Sequence, residues 1–198
     1  MSRTTIQIGP ADAGKQMALD DFEHAEAQSG FNYELGRGRI AVVDVPDRKH
    51  LAMVDAASAQ FYAYRPQHPS QIHTLAAGGE CKILLAEAQS ERHPDLAIYK
   101  TAPEDAADLW ATWIPEIVIE VVSPGSHHRD YVEKREEYLS FGVREYWIID
   151  AAREEMLVLR RVSGRWTERT VSACDKYATR LLAGLEFDLA SVFRAANG

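Results

Sequence analysis

The sequence predicts a mixed α/β (α+β) fold, with a central mixed sheet flanked by helices, on three observations. The run Ile117-Val118-Ile119-Glu120-Val121-Val122 is apolar and β-branched at nearly every position, the mark of a central strand covered on both faces. A helical stretch at about 129–141 follows, and then a second apolar run, Glu145-Tyr146-Trp147-Ile148-Ile149-Asp150. Strand, helix and strand in that order make a right-handed crossover onto a neighbouring parallel strand. Shorter strand-like runs with turn residues between them stand on both sides of this unit, so the sheet mixes parallel and antiparallel pairs.

The elements read in order. Residues 11–28 are Ala-rich, with Met17, Leu19, Phe22 and Ala25 spaced by three or four, and predict a short amphipathic N-terminal helix that Ser29-Gly30 stops. Residues 32–35 and 39–43 predict a hairpin around Gly36-Arg37-Gly38. Pro46-Asp47 opens a helix over about 47–64, with Leu51, Val54 and Phe61 on one face. Strand signals follow at 72–76, 82–86 and 95–99, and 101–113 is a polar, acidic loop with room for one turn of helix. Ser123-Pro124-Gly125-Ser126 ends the central strand and Gly142 caps the helix after it. Strands at 155–161 and 165–171 form a hairpin around Ser163-Gly164, and a short helix at 189–194 follows.

A chain of 198 residues is the size of one domain, expected here over 1–198 with its core at about 32–193. With 46% hydrophobic residues it can bury a full core. No run reaches about 18 apolar residues, so no membrane span is expected. Residues 1–6 hold no long apolar stretch of the secretory kind. Cys81 and Cys174 are far apart and form no CxxC, which points to reduced thiols and a cytoplasmic protein. The net charge of −8 removes the simplest basic-patch argument for nucleic-acid binding, although basic residues gather at Arg37 and Arg39, at Arg48 and Lys49, and over 127–135. There is no P-loop, GxGxxG or GxSxG.

Two acids stand out. Asp95 follows Pro94 at the head of a strand-like run, and Glu120 interrupts the apolar central strand. A charge near a core costs several kcal/mol unless it is paired or holds a metal. Mg²⁺ typically takes one or two carboxylates plus water and substrate phosphate, so two acids suffice for a hard-metal site, with water-facing or ion-paired acids as the alternative. On the next helix Asp130, Lys134 and Tyr138 recur every four residues and share a face. Lys134 stands where it can reach back toward Glu120; an exposed face of i,i+4 pairs is the competing explanation. Glu34, between Tyr33 and Leu35, and His50, early on its helix, are weaker candidates, as are His127 and His128, which point apart and make a poor zinc pair. Tyr146 and Trp147 read as core.

Taken in order, Tyr33-Glu34-Leu35, His50, residues 94–99, residues 120–124, Asp130…Lys134…Tyr138, residues 142–150 and the closing 182–189 resemble the Uma-type restriction endonuclease family, a branch of the PD-(D/E)XK nuclease superfamily. The resemblance runs from about 15 to 193. It implies a restriction-endonuclease-like fold and a Mg²⁺- or Mn²⁺-dependent endonuclease acting on nucleic acid, with DNA as the expected substrate. Asp95 and Glu120 would be the metal ligands. The superfamily lysine lies two residues after the second acid, where this chain has Val122; Lys134 fits a place moved onto the following helix. Glu34, His50 and Tyr138 are supporting positions. A homodimer is expected, since cutting both strands needs two such sites. The competing classes are a catalytically idle dimeric binding or regulatory module of the same fold, motivated by the acidic charge, and a metal-dependent hydrolase of a small phosphoester.

Overall fold

The computed structural model describes residues 5–105 and 108–197, and turns the strand-forming runs into two main sheets. The reading of residues 1–4 as free of a secretory stretch, and Ala106-Ala107 of the acidic loop, lie outside the described residues. In chain order the strands are β1 (Gln7–Ile8), β2 (Glu26–Ala27), β3 (Asn32–Gly36), β4 (Arg39–Val43), β5 (Thr74–Ala77), β6 (Ile83–Leu85), β7 (Ser90–Arg92), β8 (Leu96–Tyr99), β9 (Ile117–Val121), β10 (Glu145–Asp150), β11 (Glu155–Val162), β12 (Arg165–Ser172), β13 (Lys176–Tyr177) and β14 (Phe187–Asp188). The α-helices are α1 (Leu19–Glu23), α2 (Arg48–Tyr64), α3 (Leu109–Thr112), α4 (Lys134–Phe141) and α5 (Leu189–Asn197).

The larger sheet runs β12-β11-β10-β9-β8-β5. Its β9 and β10 pair in parallel, from Glu145 opposite Ile117 to Ile149 opposite Val121, and its other pairs are antiparallel. All five residues of β9 are buried, which is why its sequence lacks a polar face. Ile117, Ile119 and Val121 join Trp147, Ile149 and the inner faces of α2 and α5 in one core layer. Val118, Tyr146 and Ile148 turn the other way, into a layer closed by Tyr138 of α4. The smaller sheet, β4-β3-β7-β6, places Tyr33, Leu35, Ile40 and Leu84 in a third cluster with Leu19 and Phe22. Asp47 caps α2, accepting the His50 backbone N–H at 2.8 Å. Gly142, at φ 108°, ends α4 in the left-handed region that favours glycine.

Three expectations need correction, and one strand had no sequence signal. The helix over 11–28 shrinks to a 3₁₀ turn at Pro10–Asp12 and the five residues of α1. Gly14, at φ 78°, breaks it, and the backbone of residues 14–17 bonds to residues 38–40 of the first hairpin instead. The buried stripe of α2 is Met53, Ala57, Phe61 and Tyr64, while Leu51 faces solvent. The helix at 129–141 opens with a π turn, Arg129–Glu133, before α4 begins. Strand β7, Ser90–Arg92, has no apolar signal at all, yet every residue in it is buried. Among the described residues no helix is long and apolar enough to cross a membrane.

Candidate active site

Where β8 enters the sheet, Pro94 holds the chain extended and Asp95 stands one residue before the ladder with β9 begins. The Asp95 Oδ2 accepts the Val121 N–H at 2.7 Å, continuing the ladder by a side chain and fixing the carboxylate beside β9. Its Oδ1 lies 3.0 Å from His50 Nε2, one turn into α2. Burial works against a protonated His50, but Asp95 outweighs it and raises the imidazole above its usual range. Glu120 alternates with Ile119 and Val121, which face α2 and α5, so its side chain is delivered to the α4 side of the sheet.

There it meets Lys134, the first residue of α4. The Lys134 Nζ lies 2.9 Å from Glu120 Oε1, 3.3 Å from Glu34 Oε1 and 3.3 Å from Asp130 Oδ1. Tyr138, one turn further, donates its hydroxyl to the same Glu120 Oε1 at 2.9 Å. All five side chains are buried, so the exposed-face explanation for Asp130, Lys134 and Tyr138 does not hold. Burial pulls the Lys134 ammonium down; Glu120, Glu34 and Asp130 outweigh it and hold it well above its usual range. Burial pushes Glu120 up, Lys134 resists, and Asp95, Asp130 and Glu34 push further, to about 8. Glu34 goes the other way: burial would raise it, but Lys134, Arg92 and Arg129 hold it down at about 2.

Arg92 sits behind this layer with no exposed surface. Its guanidinium reaches Glu34 Oε2 at 3.1 Å, Glu137 Oε2 at 2.7 Å and Glu133 Oε2 at 3.2 Å. A Cβ on Gly36 would meet Arg92 Nη2 at 2.7 Å, so the glycine of β3 makes room for the arginine of β7. Asp130 is fixed by Ser126, whose hydroxyl donates to Oδ2, while Oδ1 is buried without a hydrogen-bond partner.

The site lines a cleft of about 810 Å³ between the start of α2, the end of β9 and the π turn. Glu34, His50, Asp95, Glu120, Asp130 and Lys134 all face it, whereas Tyr138 lies behind. His127 stacks on Tyr131 with ring centroids 4.3 Å apart, and His128 stands outside on an exposed pair with Glu133. Tyr146 and Trp147 are core, as read. Among the described residues no three His, Cys, Asp or Glu side chains form a cage for an ion by themselves. The donor set still suits a hard divalent cation completed by water and substrate. Two carboxylates of adjacent strands face one cleft, and both hydrogen bonds to Glu120 fall on Oε1. Burial and the neighbouring carboxylates Asp95, Asp130 and Glu34 push Glu120 up, and such an ion would offset both.

Sequence reasoning passed over Arg92, Arg129 and the inward aim of Asp130. The one signal for Asp130 was its i,i+4 spacing to Lys134; Arg92 had none, since a lone arginine in Ser90-Glu91-Arg92 looks like a solvated turn.

A family model described as "Putative restriction endonuclease", Uma2, matches residues 19–190. Among solved structures the chain is similar to one titled as a putative nuclease belonging to DUF820 from Anabaena variabilis, with a TM-score of 0.74 and 17% identity. That match covers 91% of this chain and 99% of the other, and the shared fold is the restriction-endonuclease-like one. No curated protein matches the sequence.

Proposed function

Since the chain belongs to the Uma2 family, we propose that it is a metal-dependent endonuclease that hydrolyses phosphodiester bonds of DNA in this cleft. The observation that carries the reading is a lysine, Lys134, buried 2.9 Å from Glu120 at the floor of a cleft that Asp95 also lines. Asp95 and Glu120 would hold Mg²⁺ or Mn²⁺, which supplies Lewis-acid polarisation of a phosphate oxygen and an acidified water. Lys134 orients the attacking oxygen and offsets charge developing on the phosphorus oxygens. Glu34 and Asp130 keep that lysine protonated and in place. Tyr138 fixes the Glu120 carboxylate through Oε1, and His50 fixes Asp95. The protein acts as a homodimer, one site per strand of a duplex. Cys81 and Cys174, both unpaired, fit the reducing cytoplasm.

The test is cleavage of plasmid, linear duplex, single-stranded DNA and RNA with Mg²⁺ or Mn²⁺. The wild type should cut DNA, and Asp95→Asn, Glu120→Gln and Lys134→Met should each slow it by about 10²–10³-fold. Cutting by Lys134→Met at the wild-type rate sinks the assignment. Turnover of a chromogenic diester with no action on any polynucleotide would point to a small phosphoester instead.

A further inference from the structure

Carboxylates outnumber the three cations of the cleft lining, Lys49, Arg129 and Lys134, so the cleft itself repels a polyanion. A cluster of arginines that form no ion pair lies elsewhere. In the β11–β12 hairpin Arg160 stands opposite Thr167, Val158 opposite Arg169 and Val162 opposite Arg165. Strand alternation puts all of these on one face of the sheet. Arg160, Thr167 and Arg169, with Tyr177 and Arg180, line a pocket of about 340 Å³. Among the described residues no carboxylate comes within ion-pairing distance of Arg160, Arg169 or Arg180. The pocket's one acid, Glu168, alternates to the other face and pairs with Arg135. Glu145, opposite Arg160 on β10, is buried, takes hydrogen bonds from Trp147 and Tyr177, and feels the Arg160 charge without forming an ion pair. The Arg169 guanidinium rests over the Tyr177 ring, 5.7 Å from its centroid.

The patch is distinct from the cleft. Asp150, at the end of β10, lines the cleft, while Arg160 pairs with Glu145 at its beginning. Five residues of strand separate them, about 16 Å. The arginines also share the Val158 face, whereas Glu120 projects from the opposite one.

We propose that this arginine strip is a second nucleic-acid contact, binding backbone phosphates of polynucleotide remote from the scissile bond. The proposal rests on the nuclease reading for its choice of polyanion. In a chain carrying eight excess negative charges, this run of guanidiniums has one carboxylate near it, the buried Glu145 opposite Arg160, and forms no ion pair, so its positive charge is left largely uncompensated inside the protein. Guanidinium forks suit phosphate oxygens. From Arg169 to Arg165 the strip extends about 13 Å, longer than one phosphate and matched to a row of them.

The experiment is fluorescence anisotropy of a fluorescein-labelled 30-base-pair duplex in EDTA, where nothing is cut. It compares the wild type, Arg160→Ala/Arg169→Ala/Arg180→Ala, and a control of equal charge change, Lys15→Ala/Lys82→Ala/Arg194→Ala. The patch variant should lose at least tenfold in affinity. Its log–log salt slope should flatten by about 2–3, near 0.9 per lost phosphate contact, while the control stays close to wild type. Wild-type affinity in the patch variant, equal loss in the control, or no duplex binding by the wild type overturns the proposal. Displacement of the duplex by inorganic phosphate at matched ionic strength would assign the pocket to a free anion and also overturn it. Cleavage is read separately with Lys134→Met, so a failed nuclease reading leaves the binding result standing on its own.

Discussion

At Lys134 one ammonium faces three carboxylates, and its removal leaves Glu34, Glu120 and Asp130 to repel one another in a buried site. Breaking such a cluster costs about 3–5 kcal/mol. Lys134→Met should therefore unfold at markedly lower urea at pH 8, and adding Glu120→Gln should recover part of the loss. A Lys134→Met protein as stable as wild type would show that the ammonium is not what neutralises this layer. Glu34 gives the pH dependence. Its folded-state pKa of about 2 lies below the ordinary 4.5, so folding favours its ionised form. That contribution is complete above about pH 4.5 and is lost as pH falls through about 2. Glu34→Gln should cost about 3 kcal/mol at pH 7, with the gap closing toward pH 2, as denaturant titrations at several pH values would read. The spacing of Asp130, Lys134 and Tyr138 was legible in the sequence because i,i+4 geometry is local. Whether that face looked to water or inward was not, because the answer depends on Glu34 and Glu120 arriving from other strands.

The elements differ in how openly the sequence declares them. β9 and β10 announce themselves by unbroken apolar runs, and α2 by its cap at Asp47. β7 is silent, since its burial rests on polar partners rather than apolar contact: Arg92 pairs with Glu34, Glu133 and Glu137, Ser90 donates to Glu137, and Glu91 pairs with Lys82 and His93. The N-terminal segment shows the opposite error: its apolar spacing was helical, but hydrogen bonds to the first hairpin won over residues 14–17. β3 and β7 are coupled through Gly36, where a Cβ would press on Arg92. Gly36→Ala should cost about 1–3 kcal/mol by overpacking, and should loosen Glu34 with it. Gly36→Ala/Arg92→Met should relieve the clash, so the two losses should not add in a double-mutant cycle. Additive losses would separate the glycine from the arginine.

On the scale of the whole molecule the charges are sorted: acids surround the cleft, and arginines that form no ion pair collect at the other end of the larger sheet. The proposed concerted cutting of a duplex, with one site per chain, calls for a second copy. Light scattering should return twice the mass of the chain at micromolar concentration; a monomer there would remove the paired-site arrangement and predict nicking alone. The proposed divalent cation belongs in the cleft, where carboxylates outnumber cations, and that is the claim on which the account turns. Calorimetric titration of Mn²⁺ at pH 8, with wild type, Asp95→Asn and Glu120→Gln, tests it most directly. Mn²⁺ accepts the oxygen ligands of Mg²⁺ and binds N/O sites at least as tightly. The account predicts one saturable site in the wild type and none in either variant. Undiminished binding in both variants, or none by the wild type even with a phosphorothioate oligonucleotide present, would contradict it.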